Sequence, residues 1–350
     1  MKRTLIILIL AISLTLFSDV IELPKNPEVP QWKAELVQET ELEDVMSFVF
    51  DLFFYDNKVY LGDARQPAVV VYDLDGNYVQ TIGNEGEGPG EFKGVGYIWS
   101  EANNDYFVVY DEMSQKLSHF KFNGEFIEAE VLANLSKPSH RSRFCNMDVI
   151  ETGEIKFDGT PKNNIAVTLK TSDETKTLFE ASWHPFLIGW YNLDKPYYAA
   201  TEQNLFLTKA SRKEYKIRIF NPTGELVREI KKKCDPVLIP KDELAEAKEF
   251  AKKMEERFRK SVEIGKEIYG FQKIVRNIYA DDQEQIWLAA TDNSGDLLDV
   301  YDDSGILLAQ CRPENEDTFD RAHIQDDFIY SVVHNEELES FVLRKYKIVK

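Results

Sequence analysis

Val71-Tyr72-Asp73-Leu74-Asp75-Gly76 is a phrase that returns three more times in this chain, as His119-Phe120-Lys121-Phe122-Asn123-Gly124, Ile219-Phe220-Asn221-Pro222-Thr223-Gly224 and Val300-Tyr301-Asp302-Asp303-Ser304-Gly305. In each copy an aromatic side chain stands four positions before a glycine that opens a tight turn. The glycines are 48, 100 and 81 residues apart. One unit of about 48 residues explains all three intervals if one copy is degenerate and one carries an insertion, and a period of this size marks a repeat architecture.

Working outward from the glycines, a second apolar or alternating strand precedes each phrase: Lys58-Val59-Tyr60-Leu61, Tyr106-Phe107-Val108-Val109, Asn204-Leu205-Phe206-Leu207 and Gln285-Ile286-Trp287-Leu288. A third follows, as in Tyr78 to Ile82 or Glu225 to Ile230. Short strands at this spacing, joined by Gly, Asn and Asp turns, describe antiparallel four-stranded sheets. The long gap hides a copy built on Ile165 to Leu169, with Glu154 to Phe157 beside it and a turn near Asp173. A last copy runs through Phe328 to Val332 and Phe341 to Val349, where Tyr346 takes the aromatic position and the chain stops one strand short. Lys33-Ala34-Glu35-Leu36-Val37 can supply that strand, which closes a ring and removes two exposed edges. The reading is an all-β, six-bladed β-propeller over residues 31–350.

The 81-residue interval is too long by about 33 residues, and the excess falls on 241–270, between blades four and five. Leu244, Ala247, Ala251, Met254, Phe258, Val262 and Ile268 recur there at 3-4 spacing with charges between them, which predicts an amphipathic helix from Asp242 to Tyr269. Pro240 starts it and Gly270 ends it. Such an insertion serves either as a lid on one rim of the ring or as a partner-binding helix.

The formal charge of −19 argues against nucleic acid and disfavours strong attachment to anionic membrane, both of which draw on clustered Lys and Arg. Lys2 and Arg3 before the apolar run Leu5 to Phe17 read as a secretory signal peptide over 1–18, too short for a confident membrane span. An exported protein, periplasmic or extracellular, follows. Leu16 stands where a small residue usually marks cleavage, so an uncleaved anchor is the alternative. The three cysteines, Cys145, Cys234 and Cys311, have no metal or redox spacing and read as small buried hydrophobes.

Gly83-Asn84-Glu85-Gly86-Glu87-Gly88-Pro89-Gly90-Glu91-Phe92 resembles the connector of NHL-type propellers, in which a glycine-rich phrase ending in an acidic or amide residue and Phe leads into the next blade. Together with VYDLDG and the leader, it is similar to an uncharacterised family of bacterial extracytoplasmic six-bladed β-propeller proteins that carry a near-identical GEGPGEF phrase. The chain departs from many of them in having no cysteine after the leader, and its third blade is degenerate. The resemblance implies a fold and a compartment. It implies no activity, so it carries over no catalytic residue.

The usual chemical motifs are missing. GEGPGEF lacks the Gly-Lys-Ser/Thr of a phosphate loop and follows a strand without opening a helix. Asp73 to Asn77 and Asp302 to Gly305 lack the twelfth-position Glu of a calcium loop. The histidines His119, His140, His184, His323 and His334 make no zinc spacing, and there is no GxSxG. No metal or cofactor is expected.

One column of the repeat does stand out. Counting back 29 or 30 residues from each turn, to where the innermost strand of the blade begins, reaches Arg143, Lys195, Arg276 and Arg321 in blades three to six, and Ser47 and Val95 in blades one and two. Innermost strands surround the channel, so these cations converge on one mouth and suit a carboxylated glycan, a phosphate or a peptide carboxylate. The competing reading pairs them with Asp148, Asp194, Asp281 and Asp320. At the level of function, the expectation is a non-catalytic extracytoplasmic binding or scaffold protein, engaging a ligand or protein partner at the channel mouth or through the helix. The alternative is a metal-dependent hydrolase, lactonase or lyase of the six-bladed type, with Asp51, Asp148 and His323 as candidate ligands.

Overall fold

The computed structural model describes residues 19–42, 48–101, 105–132, 137–144, 147–156, 162–170, 174–183, 195–209, 211, 214–257, 274–314, 319–335 and 337–350. Two strands, β1 (Asp19–Leu23) and β2 (Gln31–Glu41), precede blade one, which consists of β3 (Val49–Tyr55), β4 (Lys58–Asp63), β5 (Ala68–Asp73) and β6 (Tyr78–Ile82). The short β7 (Asn84–Glu85) and β8 (Glu91–Phe92) lead into blade two, β9 (Val95–Glu101), β10 (Tyr106–Asp111), β11 (Lys116–Lys121) and β12 (Phe126–Val131). Blade three is β13 (Lys137–Phe144), β14 (Met147–Lys156), β15 (Lys162–Lys170) and β16 (Thr175–Trp183). Blade four is β17 (Pro196–Ala200), β18 (Leu205–Lys209), β19 (Glu214–Phe220) and β20 (Leu226–Lys233). The helix α1 (Lys241–Arg257) follows, then blade five, β21 (Val275–Ala280), β22 (Ile286–Asp292), β23 (Gly295–Tyr301) and β24 (Leu307–Pro313), and blade six, β25 (Ala322–Gln325), β26 (Phe328–Asn335) and β27 (Ser340–Val349). Within each blade consecutive strands pair antiparallel.

The N-terminal strand completes the last blade as the sequence predicts: β2 pairs antiparallel with β27 from Lys33↔Val349 to Glu41↔Val342. It does more than that. Residues Gln31 to Ala34 also pair in parallel with Gln310 to Pro313 of β24, which fuses blades five and six into one eight-stranded sheet. In addition β1 adds a fifth, parallel strand to β20 at the outer edge of blade four, from Asp19↔Arg228 to Leu23↔Lys232.

The repeated aromatics explain why the blades stack. Tyr72, Phe120, Phe220, Tyr301 and Tyr346 are all at least 94% buried, each in an apolar cluster shared by two blades. Tyr301 of blade five, for example, packs with Ile217, Ile219 and Ile230 of blade four. Burying one such side chain contributes on the order of 2 kcal/mol, so five of them around the ring outweigh any single surface contact.

The repeated glycines have a steric reason as well as a conformational one. Gly305 adopts φ +86°, and a Cβ built on it would lie 2.7 Å from Ile219 Cδ1 and 2.9 Å from Ile230 Cδ1, because the turn of each blade rests on the outer strands of the one before. Gly305→Ala is therefore expected to lose about 1–3 kcal/mol, read as a lower urea midpoint at unchanged slope. The Asp and Asn residues of these turns cap backbone. Asp73 Oδ1 accepts from Asp75 N (3.0 Å) and Asn77 N (2.8 Å), and Asn221 Oδ1 accepts from Thr223 N (3.1 Å) and Glu225 N (2.9 Å). Their carboxylate and amide oxygens serve the hairpin, which is why Asp or Asn recurs at these turns without a calcium loop's remaining ligands.

The GEGPGEF connector is a folded turn. Gly88 N donates to Glu91 Oε2 (2.8 Å), Gly86 N donates to Phe92 O (2.9 Å), and Phe92 is fully buried against Phe120, ring centroids 5.7 Å apart. In α1, Leu244 N donates to Pro240 O (2.9 Å), Asp242 and Glu243 occupy the first turn, and Arg257 the last. Ala251 is buried while Phe250 stays 47% exposed. The expected continuation of the helix to Tyr269 falls outside the described residues, as do the leader over 1–18 and Cys145. Cys311 and Cys234 carry free thiols that burial pushes up to about 12 and about 11. They stay protonated at neutral pH and are poor nucleophiles.

Candidate functional site at one mouth of the channel

Every innermost strand starts at the same end of the ring, so residues at those starts gather at one mouth. Lys195 immediately precedes β17, Arg276 is the second residue of β21, and Arg321 immediately precedes β25, as the repeat count predicts. Arg143 does not join them. It is the seventh residue of β13, its backbone paired with Asp148 beside the β13–β14 hairpin, at the far end of the strand from Lys137. The physical reason is strand length: β13, β14 and β15 have 8, 10 and 9 residues, so counting back 30 from Asp173 falls short of the beginning of β13. The side chains of Arg143 and Asp148, like Ser47 and Asp194, lie outside the described residues.

The three remaining cations differ in their surroundings. Arg276 is 6% exposed and committed: its Nε donates to Thr291 Oγ1 (2.8 Å) and lies 3.4 Å from Asp296 Oδ1, and its Nη1 reaches both oxygens of Asp320 at 3.4 Å. It ties blade five to blade six, which is the ion-pair reading of the column. Asn277 Nδ2 donates to Asp320 O (2.9 Å) and Tyr279 OH donates to Phe319 O (2.5 Å) alongside it. Arg321 and Lys195 are exposed. Arg321 Nη2 donates to Phe50 O (3.3 Å) of blade one, and the Lys195 ammonium lies 5.4 Å from the ring centre of Tyr197. Among the described residues neither has a carboxylate within ion-pair distance.

Facing them is an acid that the cation column does not contain. Asp51 is the third residue of β3, half-buried, and its carboxylate bridges two blades: Oδ1 accepts from Leu52 N (2.9 Å) and Oδ2 from Ile98 N (3.1 Å). Burial raises its pKa to about 6, against the pull of those two N–H groups and of the Arg321 and Lys195 charges, both near enough to be felt. Tyr97 of β9 is pushed up to about 12 by burial and then by Glu112, Asp51 and Glu151. Tyr197 is raised by burial and by Asp320 and Glu151, with Arg276 opposing. Asp51, Tyr97, Glu151, Tyr197 and the three cations thus belong to one electrostatic neighbourhood drawn from all six blades, with acids interleaved among the cations. A lone Asp inside the apolar run Val49-Phe50-Asp51-Leu52-Phe53-Phe54-Tyr55 was the signal in the sequence; no comparable signal marks Glu151.

His323, considered above as a metal ligand, is turned into the wall. Its ring stacks on Phe54 (centroids 5.0 Å, 11° between planes), Nε2 lies 3.1 Å from Gln325 Oε1, and burial lowers its pKa. Among the described residues no three His, Cys, Asp or Glu side chains converge to hold a metal ion.

Ring and mouth together define a six-bladed β-propeller with a polar, charge-interleaved channel opening. Residues 38–151 match the family DUF5128, described as a 6-bladed beta-propeller. Among solved structures, a candidate exported protein of Bacteroides fragilis aligns over 95% of this chain and 100% of its own at 11% identity and a TM-score of 0.50. A DUF4221 member from Bacteroides vulgatus aligns over 91% and 99% at 12% identity and a TM-score of 0.49. A catalytically inactive virginiamycin B lyase of Staphylococcus aureus aligns over 91% and 100% at 12% identity and a TM-score of 0.47. At such identities the likeness is one of fold. No curated protein matches the sequence. Among the described residues no helix is long and apolar enough to cross a membrane.

Proposed function

We propose that this chain is an exported binding or scaffold protein: a leader over 1–18 followed by one propeller domain whose channel mouth receives an anionic group, such as the carboxylate of a glycan or peptide. The observation that supports this most is the pair Lys195 and Arg321. Both are exposed, both lie within electrostatic reach of Asp51, and among the described residues neither is paired with an acid. An arginine with free N–H groups and a lysine, both felt by the same Asp51 carboxylate, suit an anionic group better than any neutral ligand. The apolar Lys2 to Phe17 pattern and the exported Bacteroides fragilis protein of the same fold support the compartment.

Calorimetric titration with oligogalacturonate and with an acidic peptide tests the reading. Binding is expected to weaken as salt rises, because exposed charges are screened over about 8 Å at physiological ionic strength. The double variant Lys195→Gln/Arg321→Gln should lose about tenfold or more in affinity, roughly the 1.4 kcal/mol of one charge-assisted contact. Undiminished binding by the double variant refutes the mouth as the site.

Asp51 adds a pH dependence with a definite sign. Its folded-state pKa, about 6, lies above its ordinary value of 3.8, so between those two the folded chain holds more protons than the unfolded one and stability falls as pH rises. Asp51→Asn removes that slope. Measured against the variant, the wild type should lose up to about 3 kcal/mol on going from pH 4 to pH 7, reduced by whatever water reaches the half-buried carboxylate. Anion affinity should move in the same direction: tighter at pH 5, where Asp51 is neutral, than at pH 7, where it competes for the two cations. Parallel pH curves for wild type and Asp51→Asn would remove Asp51 from the site.

A further inference from the structure

Away from the channel, a cleft of about 310 Å³ opens where blades four and five meet, beneath the segment that joins β1 to β2. Its floor is a buried polar chain. Lys232 Nζ donates to Asp299 Oδ2 (2.5 Å), Tyr215 OH donates to the same oxygen, Gln310 Nε2 donates to Asp299 Oδ1 (2.7 Å), and Gln31 Nε2 donates to Gln310 Oε1 (3.3 Å). The Lys232 side chain is 5% exposed, and its ammonium lies 5.6 Å from the Tyr215 ring centre. Among the described residues Asp299 is its one hydrogen-bond acceptor. An ammonium carries three N–H donors, and burying two of them without acceptors costs about 1–3 kcal/mol each, so this group calls for oxygen atoms from within the cleft that it lines.

The charges of the cleft say which kind of oxygen. Its cations are already matched one for one: Lys232 by Asp299 (2.5 Å), Arg312 by Asp292 (Nη2–Oδ2 2.5 Å, Nη1–Oδ1 3.2 Å) and Lys25 by Asp235. A carboxylate or phosphate entering here meets no uncompensated positive charge and must break a pair to bind, unlike at the channel mouth. A hydroxyl group meets no such obstacle, because it can accept from Lys232 or Asn293 and donate to the lone pairs that Asp292 and Asp235 keep after pairing. Ile274, Ala290 and Leu297 supply an apolar wall beside these groups, the counterpart of the C–H face of a pyranose ring. From this combination we infer that the cleft between blades four and five binds an uncharged, hydroxyl-rich ligand of the size of a mono- or disaccharide. The inference is independent of the channel mouth and of its anion.

The test is thermal shift and calorimetric titration of the intact chain with glucose, galactose, N-acetylglucosamine and lactose, alongside galacturonate and inorganic phosphate as charged controls. At least one uncharged sugar is expected to bind, with an affinity that stays constant when salt is raised to well beyond physiological strength, where the Debye length drops to about 3 Å at 1 M. Asn293→Ala at the exposed rim and Arg312→Gln at the half-buried pair with Asp292, both outside the apolar core and so compatible with a folded chain, should each weaken that binding about fivefold or more. Lys195→Gln/Arg321→Gln should leave it unchanged. Failure of all four sugars to bind overturns the inference, and so does a sugar affinity that neither rim variant moves. A charged control that binds here more tightly than every neutral sugar, and loses that affinity in Arg312→Gln, overturns the charge argument and with it the ligand class.

Discussion

Removal of residues 19–41 is expected to abolish cooperative unfolding of the propeller. The deletion takes away β2, whose backbone pairs with β27 on one side and β24 on the other, and β1, the outer strand of blade four. It also withdraws Ala34, fully buried in the cluster between blades five and six, and the Trp32 ring that packs 6.0 Å from Trp287. Three strand edges, on β20, β24 and β27, are exposed at once, and an unpaired edge is a template for association with other chains. The loss should be on the order of 5 kcal/mol or more, comparable with the whole stability of an ordinary domain. Calorimetry should show a broad transition or none, and light scattering should show concentration-dependent association. A truncated chain that melts sharply at the wild-type temperature would mean that the ring does not depend on its N-terminal strand.

The second large effect is expected at Asp299. This carboxylate is fully buried and accepts from Lys232, Tyr215 and Gln310, while Tyr215 OH also lies 2.5 Å from Tyr301 OH. Asp299→Ala leaves a buried ammonium without its counter-charge, and breaking such a pair costs about 3–5 kcal/mol. Lys232→Met should cost less, because the orphaned carboxylate keeps two donors, Tyr215 OH and Gln310 Nε2. The double replacement should fall between the single ones and never below Asp299→Ala, since the missing charge also removes the need for its partner. Equal losses in all three would show that packing around Tyr215, and not the ion pair, holds blades four and five together. Chemical denaturation of the three variants, compared as a double-mutant cycle, separates these outcomes.

Much of the architecture is written in the sequence because the repeat obeys local rules. A glycine that must adopt positive φ and an aromatic four residues earlier that must fill the gap between blades can be found without any knowledge of the fold, as Tyr301 and Gly305 show. The closing strand was legible for the same reason: blade six lacks a fourth strand and Lys33 to Val37 has the right alternation. Blade three shows where local rules stop. Its strands are longer and it has no glycine at the turn, so the count that locates Lys195, Arg276 and Arg321 misplaces Arg143 within β13. The site was partly legible for a different reason. Position in a repeat says at which radius a side chain sits, but not whether it faces the opening or the neighbouring blade, and Arg276 and Arg321 share a column while only one is buried in ion pairs. Asp51 and Glu151 gain their significance from partners on other blades; Asp51 at least interrupts an apolar strand, whereas nothing within its own strand announces Glu151. The double pairing of β2 was invisible because its parallel partner in β24 belongs to a different repeat from the one it completes.

That double pairing has a consequence for the order in which this molecule can assemble. Residues 31–41 are synthesised about 300 residues ahead of their antiparallel partners, residues 342–349. The sequence separation of these contacts is nearly the length of the whole chain, and contacts of that kind are slow to form. Until the final strand is released, blades five and six cannot knit, and the early segment must wait unpaired while a row of β-strands accumulates behind it. Any chain that crosses a membrane unfolded gains from such a delay: it stays loose enough to be threaded through a pore until the partners of its early strand, residues 342–349, have come through.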